Sequence, residues 1–392
     1  MDAPAQGPDG SPLVRVAMIG QKGYPPVHGG IEKHVAELAT RLPAHGFAVE
    51  IYSRPHYSSL DGDSGLPAVT VRKLRSIPTK HLDAISHTVA ATFDVLRRPA
   101  PLVHYHALGP GLLAGVPRWL GRRRTIVTVH GLDWQREKWG PLARGVLRAG
   151  EWASATLPDR TIVVSQALAE HYRQNHHRGV TYIPNGIVPP PPRTPARLGE
   201  LGVDRPFVLF VARLVPEKGC HLLVEAWRRL PADLRDAHQL VVAGDAGFTH
   251  GYADRLRREA PAGVLFPGYV TGDLLADLYA GAAVMVLPSS LEGLSISLLE
   301  AMAAGRCCLV SDIPPNVEAA GGNAELFASG DAADLGRALA ALLRDAPRRE
   351  RLGAAAAVHA RAHYDWDRVA AQTAALYREA LAGSSRGGPK SI

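Results

Sequence analysis

The chain has 392 residues, more than one ordinary hydrophobic core accommodates, so two domains are expected. Apolar residues make up 46% of the sequence and charged residues 21%, as in globular proteins, and no segment approaches the about 20 apolar residues of a membrane span. The polar N-terminal segment lacks the regions of a signal peptide, and the three cysteines (Cys220, Cys307 and Cys308) do not make a disulfide framework. We therefore expect a cytoplasmic protein.

Positive charge is concentrated in the first half of the chain. Residues 1–190 contain 22 Lys and Arg against 14 Asp and Glu, a net charge of +8, and residues 191–392 contain 22 against 23, a net charge of −1. Two segments are rich in basic residues: Arg72, Lys73, Arg75 and Lys80, and Arg118, Arg122, Arg123 and Arg124. Two interpretations stay open, a solvated basic face or a surface that meets anionic lipid or a diphosphate-bearing acceptor at the inner face of the cell membrane. No nucleic-acid partner is expected.

In chain order, strand-like apolar runs alternate with helix-length segments. The strands predicted in the first half are 14–20, 47–53, 101–107, 125–131, 160–165 and 180–186, with a helix over 30–42. The proline-rich segment 188–199 then interrupts the pattern, because consecutive prolines continue neither a helix nor a central strand. It predicts an interdomain linker.

The alternation resumes after this linker. Strands are predicted at 206–213, 239–245, 263–270, 282–289 and 307–312, and helices at 218–230 and 294–305, the latter ended by Gly305. The pattern indicates an α/β protein with two tandem Rossmann-like domains, residues 1–187 and 200–365. A C-terminal helix and tail over 366–392 is expected to return to the first domain. Because ligands of such sheets bind beyond the carboxyl ends of the strands, we expect the site in a cleft between the two facing domains.

The first motif is GQKGYPPVHGGIEKHV at residues 20–35, which follows a strand and opens a helix. Gly29 and Gly30 fall where free backbone N–H groups of the helix start favour a phosphate. The spacing matches neither G-x-G-x-x-G nor a P-loop, and a plain glycine-rich connection is the alternative.

Two further motifs place polar side chains at strand ends. His130 ends the strand of VTVHGLDW and would project into the ligand crevice, although a hydrogen-bonded core histidine is the alternative. Arg213 ends a strand in VARLVPEKG and Lys218 lies before the next helix, so both cations suit a diphosphate. The alternative is a pair of solvated surface charges.

The segment LPSSLEGLSISLLEAMAAG at 287–305 is the most informative. Glu292 falls before the predicted helix and Glu300 inside it, eight residues later. Gly293, Leu294 and Ser295 lie at the helix start, where N–H groups can bind sugar hydroxyls or phosphate. A carboxylate on the helix is a bidentate acceptor for ribose hydroxyls.

Together these motifs resemble glycosyltransferase family 4, whose members are retaining transferases of the GT-B fold. The resemblance runs from about residue 13 to about residue 380 and also includes Asn-Gly at 185–186, AGD at 243–245 and FPGYV at 266–270. The segments GYPPVHGGIEKHV and VHGLDWQREKWG resemble bacterial members that build cell-surface polysaccharide, including rhamnosyl-type transferases. The implied activity is transfer of a sugar from a nucleotide diphosphate sugar to a saccharide or lipid-linked acceptor, in polysaccharide or glycolipid synthesis.

The resemblance also implies roles for the motif residues. Arg213 and Lys218 would hold the donor diphosphate, helped by the backbone of Gly30. Glu300 would bind the ribose, and His130 would contact the donor sugar near the reacting centre.

The same resemblance assigns the remaining donor contacts. Glu292 and the amides of 293–295 would hold the transferred sugar. The backbone of Tyr269 and Val270 would meet the base.

No metal or other cofactor is expected, because two cations already neutralise the diphosphate. The strings Asp61-Gly-Asp63 and Asp365-Trp-Asp367 do not follow apolar strands as a metal site would. A nucleotide-sugar epimerase of the same architecture and a non-catalytic sugar-nucleotide-binding subunit are alternatives that the combined motifs disfavour. A nicotinamide dehydrogenase is disfavoured further, since no G-x-G-x-x-G opens either domain.

Overall fold

The structure is a computed structural model that describes residues 10–26, 29–58, 60–79, 82–191, 193–246 and 250–383. The chain divides into two compact units: the first comprises Met1–Asn185 and Trp366–Ile392, and the second comprises Gly186–Asp365. Each unit is built on one largely parallel sheet, so the predicted α/β class with two Rossmann-like domains is confirmed. Within the described ranges, no helix has the length and apolar character that a membrane crossing requires.

The sheet of the first unit is described by eight strands. They are β1 (Val14–Ile19), β2 (Phe47–Ser53), β3 (Gly62–Asp63), β4 (Val69–Lys73), β5 (Leu102–His106), β6 (Arg124–Val129), β7 (Arg160–Val163) and β8 (Thr181–Tyr182). The spatial order is β3-β4-β2-β1-β5-β6-β7-β8, with β3 and β4 antiparallel and the other neighbours parallel. The central strands are apolar runs because helices cover both of their faces.

Helices of the first unit lie on two faces of this sheet. They are α1 (Gly30–Arg41), α2 (Leu82–Val95), α3 (Leu108–Gly111), α4 (Gly115–Gly121), α5 (Pro141–Thr156) and α6 (Gln166–His176). From β1 the chain moves to β2 on one side, whereas from β5 to β6 to β7 it advances on the other side. Right-handed crossovers therefore place α1 on one face and α3, α4 and α5 on the other, and α2 joins the second face through its contacts with α3 and α4.

The second unit repeats this arrangement with a fully parallel sheet among its described strands. The strands are β9 (Phe207–Val211), β10 (Gln239–Ala243), β11 (Val264–Gly268), β12 (Val284–Leu287), β13 (Cys308–Ser311) and β14 (Glu325–Phe327), in the order β11-β10-β9-β12-β13-β14. The helices are α7 (Cys220–Arg229), α8 (Ala232–Ala237), α9 (His250–Glu259), α10 (Gly272–Gly281), α11 (Ile296–Ala303), α12 (Pro314–Ala320), α13 (Ala332–Arg344) and α14 (Ala346–His363). Phe210, Trp227 and Leu339 are among the fully buried residues of its core.

The last helix of the described chain, α15 (Trp366–Ala382), packs in the first unit. Trp366 and Tyr377 are buried in the same apolar cluster as Val35 and Leu38 of α1. The rings of Tyr377 and Phe47 meet edge to face with centroids 5.2 Å apart. Helix α15 thus completes the face of the sheet that α1 begins.

The proline-rich segment contacts the second unit through an ion pair and backbone hydrogen bonds. Residues 188–191 and 193–197 lie outside helices and strands, and Pro192 lies outside the described residues. Arg193 forms an ion pair with the buried Asp277 of α10. The other carboxylate oxygen of Asp277 accepts hydrogen bonds from the backbone N–H groups of Ala196 (3.1 Å) and Arg197 (2.9 Å).

Candidate functional site

The strand order of each sheet contains one switch point, where the connections before and after a strand run in opposite directions. In the first unit the connections diverge between β1 and β5, and in the second between β9 and β12. Ligands of open parallel sheets bind beyond the carboxyl ends of the strands at such points. Predicted site residues follow these strands or their neighbours.

In the second unit, the loops after β9 and β12 lie side by side because these strands are paired. Lys218 closes the 3₁₀ turn Pro216–Lys218 of one loop, and its Nζ lies 2.5 Å from Oε1 of Glu292 in the other. Gly219 permits this approach: its φ is +68°, and a Cβ there would lie 2.0 Å from the carbonyl oxygen of Pro288. Only glycine fits between the two loops.

Glu292 is an almost fully buried carboxylate whose side chain is 6% exposed, against 16% for Lys218. Ser289 Oγ donates a second hydrogen bond to its Oε1 over 2.7 Å. A buried carboxylate is tolerated when it is paired and hydrogen-bonded, so Glu292 holds Lys218 in place. The exposed Arg213 lies two residues beyond β9 at the same edge of the sheet.

Glu300 lies on α11, and its Oε2 accepts a hydrogen bond from Tyr279 Oη over 2.9 Å. Burial, and then the charge of Glu300, raise the pKa of Tyr279 well above its usual value, so the phenol keeps its proton and stays a donor. Tyr279 comes from α10 and was not predicted from the motifs. Its one signal in the sequence is a tyrosine among the leucines and alanines of the helix before β12.

Helix α11 is shorter than predicted. It begins at Ile296 because Ser295 acts as its N-cap, with Oγ accepting the N–H of Leu298 over 3.4 Å. Gly293 and Leu294 therefore lie in the buried loop before the helix. The predicted end is confirmed, with Gly305 at φ +72° following the last turn.

Tyr269 and Val270 follow β11, the edge strand of the second sheet. They are two strands away from β9, a separation of about 10 Å at the usual strand spacing. Tyr269 is 45% exposed, whereas Val270 is buried. These two residues thus lie at the carboxyl edge of the sheet, displaced from the Lys218–Glu292 pair.

In the first unit, His130 follows β6 and meets two other histidines. Its Nε2 lies 3.2 Å from Nδ1 of His106, the last residue of the adjacent β5. The ring of His34, from α1, lies edge to face on His130 with centroids 4.8 Å apart. His34 Nδ1 in turn lies 2.9 Å from Oδ1 of Asn185. No role was predicted from the sequence for His34 or His106, although the alternation in VHYH at the end of β5 is a signal that could have indicated His106.

These histidines are neutral at pH 7. Burial lowers the pKa of His34 to about 4, against the hydrogen bond to Asn185 Oδ1, which raises it. Burial, and then neighbouring histidines, lower the pKa of His106 and of His130 well below the usual value. A neutral imidazole carries one N–H, so each ring must use one nitrogen as donor and the other as acceptor.

The hydrogen-bond partners of His106 determine the tautomers of His106 and His130. Within the described residues, His106 Nε2 is buried without a hydrogen-bond partner, and leaving an N–H there would cost more than leaving a bare nitrogen. We therefore assign the proton of His106 to Nδ1, which donates to Nε2 of His130. His130 then carries its own proton on Nδ1 and offers a donor on the side away from His106.

The glycine-rich loop after β1 packs on the same strand end. Gly20 has φ +122°, and a Cβ there would lie 2.3 Å from the carbonyl oxygen of His106, so this contact requires glycine. Exposed Gly29 and Gly30 begin α1, while Val27 and His28 lie outside the described residues. Glu32 occupies the first turn and accepts the N–H of Lys22 over 2.9 Å. The helix start predicted to hold phosphate therefore already carries a buried carboxylate.

Neither D-x-D string was predicted to bind a metal. Asp61 accepts the backbone N–H of Lys73, and Asp63 accepts that of Gly65. Asp367 pairs with Arg41 over 2.6 Å. Among the described residues, two sets of side chains do bring their ligand atoms within 4.8 Å of one another: His34 with His106 and His130, and Glu151 with His171 and His176.

Solved structures share the fold of this chain. Sucrose-phosphate synthase from Thermosynechococcus elongatus superimposes with a TM-score of 0.81 at 23% identity, over 94% of this chain and 100% of that one. The two Rossmann-like units thus define the GT-B fold.

Sequence comparisons identify the family. The model Glycosyltransferase Family 4 matches residues 28–189, and Glycosyl transferases group 1 matches residues 199–359. The chain is 32% identical to D-inositol 3-phosphate glycosyltransferase of Geodermatophilus obscurus, over 93% of this chain and 88% of that one. It is 30% identical to the GDP-mannose-dependent alpha-(1-6)-phosphatidylinositol monomannoside mannosyltransferase of Mycobacterium tuberculosis, over 93% and 98%. The chain belongs to glycosyltransferase family 4, and the prediction that it is a glycosyltransferase is confirmed.

Proposed function

We propose that this glycosyltransferase moves a sugar from a nucleotide diphosphate sugar to a saccharide or lipid-linked acceptor, with retention at the anomeric carbon and without a metal ion. The main support is the Lys218 ammonium, which Glu292 and Gly219 hold at the switch point of the second sheet, and Arg213 follows β9 at the same edge of that sheet. As the C1–O bond breaks, negative charge grows on the diphosphate leaving group. Fixed cations at that place stabilise the transition state more than the ground state.

Glu300 is the proposed ribose contact. Tyr279 Oη donates a hydrogen bond to Glu300 Oε2 over 2.9 Å and so fixes the orientation of the carboxylate. Two vicinal hydroxyls match the two oxygens of a carboxylate. The backbone of Tyr269 and Val270, about two strands from β9, is the proposed contact of the base.

The sugar contacts proposed for the second unit are Glu292 and the backbone of 293–295. In the first unit, His130 is the proposed donor to a sugar hydroxyl, through the Nδ1–H that the tautomer assignment leaves available. The backbone of Gly29 and Gly30 is proposed to assist the diphosphate.

Donor screening tests this function directly. UDP-, GDP- and dTDP-sugars are compared for the rise in melting temperature, and the productive donor is then assayed for transfer in excess EDTA below the melting temperature. We expect one nucleotide class to stabilise the protein, product with the donor's anomeric configuration, and full turnover with EDTA. Donor epimerisation without transfer would indicate an epimerase, and binding without turnover a non-catalytic subunit.

A lipid-linked acceptor is supported by the outer face of the first unit. Helices α2, α4 and α5 share that face and expose large apolar side chains: Leu82, Val89 and Phe93; Trp119 and Leu120; Leu142, Val146 and Trp152. Spacings of seven and four residues place the α2 side chains on one stripe. Exposed apolar side chains beside basic residues are typical of surfaces that lie on membranes.

Several arginines of the two basic segments already form ion pairs or hydrogen bonds within the protein, so these segments attract an anionic surface less than their sequence indicates. Arg72 is held by Asp94, and Arg118 and Arg124 share Asp159. Arg123 donates to the carbonyl oxygens of Leu96 and Ala100, and Lys80 lies outside the described residues. We therefore propose peripheral attachment to an anionic membrane that depends mainly on the apolar side chains.

Vesicle flotation tests the attachment. With phosphatidylglycerol-containing vesicles at low salt we expect the wild-type protein to float, and Trp119→Ser with Leu120→Ser to reduce the bound fraction. Arg122→Glu, which removes a charge outside the ion pairs just named, should reduce it less. Equal flotation of wild type and the double variant, or no flotation at low salt, would leave a soluble acceptor as the better proposal.

A further inference from the structure

A second cluster of ligating side chains lies in the first unit, apart from His130. Glu151 of α5 is buried, with its side chain 8% exposed. Two histidines of α6 reach the same carboxylate oxygen: His171 Nε2 lies 2.7 Å and His176 Nε2 2.8 Å from Glu151 Oε1. Their side chains are 25% and 14% exposed, so solvent reaches the cluster from one side.

The carboxylate of Glu151 is oriented from behind. Trp134, in the turn Asp133–Gln135, donates its Nε1–H to Glu151 Oε2 over 2.6 Å. Arg148 lies over the Trp134 ring at 4.6 Å and keeps the indole in place. Burial raises the pKa of Glu151, but hydrogen bonds from His176, His171 and Trp134 outweigh it, so the pKa lies below its usual value.

Three features of this set match a transition-metal site. The donors are two imidazole nitrogens and one carboxylate oxygen, which suit Zn²⁺ rather than the all-oxygen shells of Ca²⁺ and Mg²⁺. Tetrahedral zinc with bonds of about 2.1 Å needs its donors about 3.4 Å apart, so opening the two histidine–carboxylate contacts by about 0.6 to 0.7 Å makes room. Trp134 supplies the outer hydrogen bond that orients a ligating carboxylate.

From this geometry we propose that Glu151, His171 and His176 bind one Zn²⁺, with solvent in the fourth position. The site joins α5, α6 and the turn Asp133–Gln135, which begins three residues after His130. Its role is to stabilise this part of the first unit, and no step of sugar transfer passes through it. The alternative role of the cluster is a plain hydrogen-bond network between helices.

Glutamine substitutions separate these two roles. His171→Gln and His176→Gln each keep an N–H donor for Glu151 while removing a zinc ligand. Trp134→Phe keeps all three ligands and removes the outer hydrogen bond to the carboxylate. His177→Asn is the matched control, because His177 is an exposed neighbour of the cluster and asparagine tolerates its left-handed φ of 49°.

The experiment uses the full chain without an affinity tag, freed of metal by EDTA and dialysis, and then titrated with ZnCl₂ or MgCl₂. Zinc stoichiometry is measured by equilibrium dialysis with elemental analysis, and stability by the melting temperature. We expect the wild type and His177→Asn to bind one Zn²⁺ per chain and to melt at a higher temperature with Zn²⁺ but not with Mg²⁺. Both glutamine variants should lose this bound Zn²⁺, and Trp134→Phe should bind it about 10- to 100-fold more weakly.

Several outcomes would overturn the proposal. Zinc that stabilises His171→Gln and His176→Gln as much as the wild type lies elsewhere, for instance at His34, His106 and His130. Failure of the wild type to bind zinc, or equal stabilisation by Mg²⁺, leaves the hydrogen-bond network as the whole role. A glutamine variant that does not fold without metal is replaced by Trp134→Phe, whose zinc affinity then decides.

Discussion

Nδ1 of His106 lies 3.2 Å from Nε2 of His130, at the ends of two neighbouring strands, and in the assigned tautomer His106 is the donor. Both rings are neutral, because burial lowers their pKa values well below the usual value. The proposed sugar-contacting histidine is therefore held by a second histidine from within the sheet. His106 is a positioning residue, and its effect on transfer acts through His130.

Replacement of His106 tests that relationship. His106→Ala should lower kcat roughly 2- to 10-fold, the worth of one neutral hydrogen bond, with little change in the donor KM. His106→Asn keeps an N–H donor near the position of Nδ1 and should restore most of the turnover. Steady-state kinetics of the two variants decide: equal losses in both, or full turnover in His106→Ala, would contradict the assignment.

Acid should destabilise the first unit through its buried histidines. Burial, then the charge of His34, lower the pKa of His104 to about 3, and His104 bonds Tyr377 Oη over 2.6 Å and Thr128 Oγ1 over 2.7 Å. The pKa in the unfolded chain is about 6.5. Between these values the unfolded chain binds a proton that the folded chain does not, so stability is full above pH of about 6.5 and falls as the pH falls towards 3.

The measurement is the free energy of unfolding in urea at several pH values between 7.5 and 4. Each such histidine contributes a slope of up to about 1.4 kcal/mol per pH unit. His104→Gln retains hydrogen-bonding groups without a titrating ring, so its profile should be flatter than that of the wild type. Parallel profiles would show that His104 titrates equally in both states.

Lys218 and Glu292 should behave differently in stability and in turnover. Lys218→Met removes a cation from the diphosphate and should lower kcat about 10²- to 10³-fold. It also leaves the buried Glu292 carboxylate without its ion pair, which should cost about 1–3 kcal/mol of unfolding free energy. Adding Glu292→Gln should restore the stability and not the turnover. A double variant with wild-type turnover would exclude the diphosphate role, and the double-mutant cycle measures the coupling.

Tyr279 should control donor affinity through Glu300. Tyr279→Phe removes the 2.9 Å hydrogen bond to Oε2 and should weaken donor binding roughly 2- to 10-fold. Glu300→Ala should weaken it more, since the ribose contact itself is lost. Calorimetric titration with nucleotide measures both, and unchanged affinity in Glu300→Ala would contradict the ribose assignment.

The fold was predictable because its signals are local. Apolar runs alternating with helical segments predicted both parallel sheets, but β4, β14 and the two-residue β3 were missed. The sequence of β4, VTVRK, ends in two basic residues, and β14 is a three-residue edge strand, so neither is a continuous apolar run. Except for β2, the predicted strands also ran one to four residues past the observed carboxyl end, as at His130, where the loop continues the composition of the strand after its hydrogen bonds end.

The candidate site was predictable only in part. Residues at strand ends and helix starts, such as Lys218 and Glu292, follow from motif spacing. Partners from distant segments do not: Tyr279 lies 21 residues before Glu300, and Asn185 lies 151 residues after His34. Such contacts are set by packing between elements, for which a single sequence carries no periodic signal.

Gly219 should be required for the contact between the two loops of the second unit. Its φ is +68°, and an added Cβ would lie 2.0 Å from the carbonyl oxygen of Pro288. Gly219→Ala must therefore move the Lys218 loop away from the Glu292 loop or strain the backbone. Gly202 is the matched control, because its φ of +75° is similar and nothing lies within 4 Å of an added Cβ.

Both alanine variants bear the cost of a left-handed residue, about 1–2 kcal/mol of unfolding free energy. Only Gly219→Ala adds the collision with Pro288, so we expect it to lose more stability than Gly202→Ala and to bind the donor more weakly. Urea unfolding and nucleotide titration of the two variants supply the comparison. If Gly219→Ala binds nucleotide as tightly as Gly202→Ala, the close approach of the loops is not what positions Lys218 for the diphosphate.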